Sequence, residues 1–308
     1  LLVAAASLCL LLSGCEPGAQ STVPVAEQTY AGQGPLQITC TTGMVADLVR
    51  NIAGERAEVK QLMGAGVDPH LYKSSPSDIA ALSSADVVFY SGLHLEGKMT
   101  DVLEQLGQSK PVVAVAAKID EAKLLADGGT HDPHVWFDVQ LWQQAAQEVA
   151  RTLIQFDPAE AANYEARAAE YQAKLSELDQ YCRDQLATIP AEQRVMITAH
   201  DAFRYFGKAY DLEVRGIQGV STESEAGVKQ INALVDFLVA RKIKSIFVET
   251  SVSDQNVQSL LEGCRAQQHD VKIGGELYSD ALGEPGTPTG TYDGMVRHNV
   301  NTIVQALK

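Results

Sequence analysis

The feature that most constrains this chain is a stretch of about thirty residues, Asp157 to Pro190, that no glycine and no internal proline interrupts after Pro158. Within it Tyr164, Ala168, Tyr171, Leu175, Leu178, Cys182 and Leu186 recur at intervals of three and four, which paints one apolar stripe along a helix. Asp157 suits the cap, Pro158 the first helical position, and Glu160 completes a capping-box spacing. At a rise of 1.5 Å per residue such a helix is roughly 45 Å long, the length of two lobes side by side. A linking helix over 157–190 is therefore expected. It should permit less rotation between lobes than a pair of extended strands.

The same rhythm of short β-rich runs and helical stretches lies on both sides of it. Gln37–Thr41, Glu58–Leu62, Val87–Tyr90 and Val112–Val115 read as strands, with helices over Val45–Ile52, Ser77–Leu82, Leu95–Leu106 and Trp142–Gln155. After the linker, Val195–Thr198, Glu213–Gly216, Ser245–Val248 and Val271–Ile273 read as strands, and Phe203–Tyr210, Glu225–Arg241, Asp254–Gln267 and Tyr292–Leu307 as helices. Strands alternating with helices imply parallel sheet covered on its faces. The fold class is α/β: two lobes, 36–156 and 191–308, each with a four-stranded mainly parallel sheet flanked by helices. At 308 residues the chain is long enough to give each lobe its own core.

Residues 1–15 read as a lipoprotein signal segment. Leu1 to Leu12 is an apolar run too short to span a bilayer, and Leu12-Ser13-Gly14-Cys15 resembles a bacterial lipobox. Lipid on Cys15 would anchor the chain to the extracytoplasmic side of a cell membrane without crossing it. Residues 16–35, rich in Gly, Pro, Ala, Ser and Gln, read as a flexible tether. Of five cysteines, Cys40, Cys182 and Cys264 remain beyond the signal segment. Three widely spaced cysteines in apolar settings make no disulfide framework and no metal motif, and read as buried thiols, with one disulfide among them still open. With 39 acids against 24 bases, the chain offers no basic stripe for nucleic acid.

Seven histidines are present, and two share a setting: Asp68-Pro69-His70 and Asp132-Pro133-His134. Proline stiffens each turn, and the aspartate can orient the imidazole. Each turn lies in a loop leaving a strand, and open parallel sheets bind ligands beyond the carboxyl ends of their strands. In the second lobe His200 follows a strand directly, and Asp280 follows another after a short loop. If the lobes face each other, three imidazoles and one carboxylate converge. Such a set suits Zn²⁺, and Mn²⁺ or Fe²⁺ less selectively.

Six stretches in order, GVDPHLY (66–72), SGLHLEGKM (91–99), DPHVWFD (132–138), TAHDAF (198–203), GGELYSDALG (274–283) and GTYDGMVRHN (290–299), resemble TroA-like solute-binding proteins of zinc and manganese ABC importers. The resemblance runs from about Leu36 to the carboxyl terminus. It implies two lobes joined by one long helix and metal ligands at His70, His134, His200 and Asp280. It also implies an extracytoplasmic receptor, not an enzyme, that hands one ion to a permease driven by a partner ATPase. Manganese-dedicated relatives typically carry glutamate where His200 sits, and Ala117 to Thr130 lacks the histidine-rich loop common in zinc-dedicated ones. Zinc is expected ahead of manganese, and the protein is expected to be a monomer.

Alternatives are a manganese-dedicated receptor or a secreted zinc hydrolase. A hydrolase usually keeps one metal position open for water, and neither HExxH nor GxSxG is present. No P-loop is present, so ATP is left to a partner. An adhesin role would leave no sequence trace. Of the other candidates, Glu249 at a strand end could accept an imidazole N–H. His94 reads as a capping or packing residue, His131 as auxiliary or solvent-facing, and His269 and His298 as structural or exposed. Glu223 and Glu225 are expected to open a helix. Trp136 and Phe137 are expected to keep water from the site.

Overall fold

The computed structural model describes residues 28–308; residues 1–27, with the expected signal segment and Cys15, lie outside the described residues. The first lobe holds strands β1 (Leu36–Cys40), β2 (Ala57–Gln61), β3 (Val87–Tyr90) and β4 (Val112–Ala114), all parallel in the order β2-β1-β3-β4. Helices α1 (Gly43–Ala53), α2 (Pro76–Ser84), α3 (Thr100–Leu106) and α4 (Val139–Phe156) accompany them. A capping box at Ser75 and Asp78 starts α2, with Pro76 in its first turn. Between β4 and α4 lies a ribbon of β5 (Ala126–Asp127) and β6 (Thr130–His131) that the sequence reading did not anticipate. Its turn is Gly128-Gly129, both with positive φ (52° and 99°), a hairpin signal that was present in the sequence.

The linker is α5 (Ala161–Leu186), preceded by a short 3₁₀ turn over Pro158–Glu160. Tyr164, Tyr171, Leu175, Leu178, Cys182 and Leu186 are buried along it, so the expected stripe faces protein. It packs on α4 and α1 of the first lobe and on the last helix of the second. Asp157 does not cap it. Its buried carboxylate instead accepts from Arg56 Nε (2.7 Å) and Tyr164 Oη (2.9 Å), because a charge-assisted pair satisfies it better than one backbone N–H. Of the tether, 28–35 packs against this region: the Tyr30 amide donates to the Phe156 carbonyl, and Arg56 lies over the Tyr30 ring.

The second lobe holds β7 (Val195–Thr198), α6 (Arg204–Tyr210), β8 (Glu213–Gly216), α7 (Val228–Arg241), β9 (Ser245–Glu249), α8 (Gln255–Ala266), β10 (Lys272–Leu277) and α9 (Tyr292–Leu307). Its strands pair in two parallel ladders, β7 with β8 and β9 with β10, and β7 lies alongside β9. Strand β10 runs past the expected end at Ile273 because Gly274 and Gly275 form a bulge rather than a turn. A Cβ at Gly275 would lie 2.3 Å from Thr302, so the glycine lets α9 press on the strand. Helix α7 starts at Val228, not Glu225; Glu223 instead reaches Lys98 of the first lobe at 3.3 Å.

Helix α3 also starts later than expected. The buried Glu96 carboxylate accepts from the Ser91 amide (2.7 Å), the Gly92 amide (3.2 Å) and Thr41 Oγ1 (2.7 Å). That wraps Gly92, Leu93 and His94 into a positive-φ turn (89°, 52°, 72°), and His94 sits there rather than at a helix start. Cys40, Cys182 and Cys264 are buried free thiols on three different elements.

The lobes also share buried polar contacts. Asp47 of α1 accepts from the Tyr292 amide at the start of α9 (3.2 Å). Burial, against help from that amide and Arg50, raises the Asp47 carboxyl to about 6. The folded protein thus holds a proton there that the unfolded chain has lost above pH 4, so this group's contribution to stability falls as pH rises from about 4 to 6. Asp47→Asn keeps an acceptor for the amide and should remove that slope. In urea unfolding at pH 7.5 the variant should match or exceed the wild type, by up to the order of 2–3 kcal/mol, with the advantage gone at pH 4.

Candidate metal centre

Each of four side chains is brought to one point by the end of a strand or the loop beyond it. His70 comes from the loop after β2, His134 from the turn after β6, His200 from two residues beyond β7, and Asp280 from three beyond β10. All four are buried, with His134 and His200 fully so. One donor atom from each lies within 4.8 Å of all the others.

The donor spacing is informative. His134 Nε2 is 3.3 Å from both His70 Nε2 and His200 Nε2. Asp280 Oδ1 is 3.3 Å from His134 Nε2, and Oδ2 lies 3.2 Å from His200 Nε2 and 3.7 Å from His70 Nε2. A tetrahedron whose corners lie about 2.0–2.1 Å from its centre has edges of roughly 3.3–3.4 Å. Five separations, taken with one or the other Asp280 oxygen, lie at 3.2–3.7 Å, close to such edges, and the remaining His70–His200 pair is held within 4.8 Å.

Two of the imidazoles are oriented from behind. Asp132 Oδ1 takes the His134 amide (3.0 Å) and Nδ1 (2.8 Å), and Glu249 takes the His200 amide (2.9 Å) and Nδ1 (2.5 Å). With Nδ1–H donated outward, each neutral ring turns the Nε2 lone pair inward. His70 is fixed through its backbone: its amide donates to Asp68 Oδ1 (2.8 Å), and Asp68 Oδ2 accepts from Thr222 of the second lobe (2.6 Å). Both Asp280 oxygens are buried without a hydrogen-bond donor.

The protonation of the cluster follows from its buried charges. Burial lowers His134, but its hydrogen bond to Asp132 and the charge of the nearby Asp280 carboxylate outweigh it and lift the ring to about 9. His200, likewise opposed by burial, is held well above its usual range by Glu249 and Asp280. Burial would raise Asp280, yet His200 and His134 hold it well below the usual carboxylate range. His70 is pushed down to about 4, chiefly by burial. The surrounding carboxylates thus call for positive charge at the centre, which protons supply when nothing else does. A metal ion is a second source of such charge for a donor set of this kind.

Trp136 walls the site, and Phe137 packs behind it, its ring 5.7 Å from Trp136 and 4.2 Å from Phe203. The Trp136 ring lies 5.2 Å from His134, and its Nε1 donates to the Ser279 carbonyl (3.1 Å) beside Asp280. The Tyr292 hydroxyl donates to the Trp136 carbonyl (2.6 Å). His131 lies half-buried on β6, His269 Nε2 donates to the Ile243 carbonyl (2.6 Å), and His298 is beside the Glu276 carbonyl (3.1 Å). None of these, nor His94, belongs to the donor cluster. The role of Asp132 behind His134 is the one expected of the aspartate in an Asp-Pro-His turn, whereas Arg204 was missed in the sequence reading.

Two α/β lobes packed on a helical strut bury nitrogen and carboxylate donors between them, an arrangement suited to holding a single cation. The profile of ZnuA, the periplasmic component A of zinc-uptake complexes, matches residues 38–306, and the chain belongs to this family. It is 48% identical to the manganese-binding lipoprotein MntA of Bacillus subtilis over 96% of this chain and 95% of that protein. It is 47% identical to the zinc-binding protein TroA of Treponema pallidum, over 89% of each. The solved structure of that periplasmic zinc-binding TroA superposes with a TM-score of 0.87 at 46% identity, covering 89% of this chain and 99% of the other. The family consists of solute-binding proteins rather than enzymes, which leaves the hydrolase reading without support.

Glu249→Ala would strip His200 of the acceptor for both its amide and its ring N–H. Burying those groups unpaired should cost roughly 1–3 kcal/mol, read as a lower denaturant midpoint with unchanged slope.

Proposed function

We propose that this protein captures one transition-metal ion on His70, His134, His200 and Asp280 and passes it to the permease of an ABC importer, with zinc preferred over manganese. The carrying observation is the set of donor separations, 3.2–3.7 Å, around a centre where no protein donor meets the Asp280 oxygens. Three nitrogens and a carboxylate this close together suit Zn²⁺, whereas Mn²⁺ favours more oxygens and a larger coordination number. Asp132 and Glu249 orient His134 and His200 toward the ion. Both Asp280 oxygens face the cluster, so a fifth bond to a larger ion is geometrically open, which fits a family holding both a zinc-binding and a manganese-binding relative.

The family works with ABC permease and ATPase components. We assign the membrane attachment to lipid on Cys15, in line with the lipoprotein relatives; no helix among the described residues is long and apolar enough to cross a membrane. On this reading the receptor acts as an extracytoplasmic monomer, with lobes at about 36–156 and 191–308.

Elemental analysis of protein from its native host should find one ion per chain, mostly zinc. His134→Ala should lower zinc affinity at least about 100-fold, since it removes a first-hand donor where loss of an outer partner alone costs 10–100-fold. A folded His134→Ala variant that retains stoichiometric zinc at wild-type affinity would defeat the assignment. His200→Glu exchanges a borderline nitrogen for a hard oxygen and should move the Zn²⁺/Mn²⁺ preference toward manganese in competition titrations. An unchanged ratio would count against the selectivity argument.

A further inference from the structure

Asp132 is fully buried and only half used by the site. Its Oδ1 serves His134, while Oδ2 has no hydrogen-bond donor. The nearest cation is Arg204, whose Nη1 lies 3.5 Å from that second oxygen. A buried carboxylate without a counter-charge is expensive, and this guanidinium is the charge that faces the oxygen His134 leaves free.

Arg204 also sits where the two histidine turns meet. It stands at the start of α6, four residues after His200, and its Nε is 3.8 Å from Asp201 Oδ2. Its Nη2 donates to the Ala126 carbonyl of the β5–β6 ribbon (3.1 Å). The next residue repeats the crossing: Tyr205 Oη donates to the Asp132 carbonyl (2.9 Å) and accepts from the Leu125 amide (3.0 Å). Two consecutive second-lobe residues therefore grip the first-lobe segment that carries Asp132 and His134. A planar guanidinium can address carbonyl and carboxylates at once in fixed directions, which an ammonium cannot.

We infer that Arg204, seconded by Tyr205, is a positioning residue for metal capture: it balances Asp132 and locks the His134 turn to the His200 turn across the lobes. It touches neither the ion nor its donors. The inference rests on the receptor reading above and concerns how tightly and in what geometry the ion is held.

The test compares wild type with Arg204→Gln, Arg204→Lys and Tyr205→Phe, using Zn²⁺ affinity by chelator competition, the visible spectrum of the Co²⁺-loaded protein, and the Tm of metal-free protein. Arg204→Gln should bind zinc about 10–100-fold more weakly, as expected for loss of a partner behind a ligating imidazole, and should shift the Co²⁺ bands. Arg204→Lys restores the charge without the fork. It should recover part of the affinity and should leave the Co²⁺ spectrum between the other two. Tyr205→Phe should weaken binding less than Arg204→Gln. A merely structural role would lower the Tm of Gln and Lys variants alike and leave the spectrum of the loaded fraction unchanged; that result overturns the inference. So does Arg204→Gln with wild-type affinity and spectrum. If Arg204→Gln does not fold, the Lys variant decides: a wild-type spectrum with wild-type affinity overturns it. Wild-type protein that binds no zinc would instead sink the receptor reading itself.

Discussion

Everything in this molecule turns on the mutual repulsion of buried electron pairs. Three imidazole nitrogens and a carboxylate meet at 3.2–3.7 Å with no protein donor aimed at the carboxylate. Lone pairs so close in a dry place are costly unless positive charge sits among them. The carboxylates behind His134 and His200 sharpen this condition by drawing the ring protons outward. Positive charge is what the centre favours: its carboxylates hold His134 and His200 toward the protonated form and Asp280 toward the ionised one.

Holding such a centre requires that elements from both lobes be fixed relative to one another. The strut α5 packs against both lobes, Trp136 donates to the carbonyl beside Asp280, and Tyr292 donates back to Trp136. These contacts place His134 and Asp280 on one hydrogen-bonded body although they come from different lobes. His70 depends on a different and slighter tie, the Asp68–Thr222 hydrogen bond. The four donors are thus unequally secured.

Much of this was legible in the sequence. The strands Val195–Thr198 and Glu213–Gly216 and the helix Tyr292–Leu307 have the expected bounds, because turn or capping residues stand beside them. The repeated Asp-Pro-His turns pointed to the two first-lobe imidazoles, and strand ends pointed to His200 and Asp280. Helix α3 was misjudged because Glu96 is spent on backbone amides and on Thr41, a distant side chain no local pattern announces. Strand β10 was cut short because two glycines look like a turn until α9 is seen leaning on them. Arg204 stayed hidden for a similar reason: its partners lie on the ribbon and turn of the other lobe, far away in sequence.

The three sulfhydryl groups acquire a meaning from this chemistry. Sulfur is the strongest zinc donor a protein owns, and it binds as the thiolate. Here Cys40, Cys182 and Cys264 are sealed away on separate elements, and burial pushes each toward its unreactive protonated form, Cys182 to about 12. A folded carrier with its best scavengers locked in fat cannot divert its own freight. Only a chain that has come apart would expose them, and would then compete for the very ion its intact neighbours are meant to deliver.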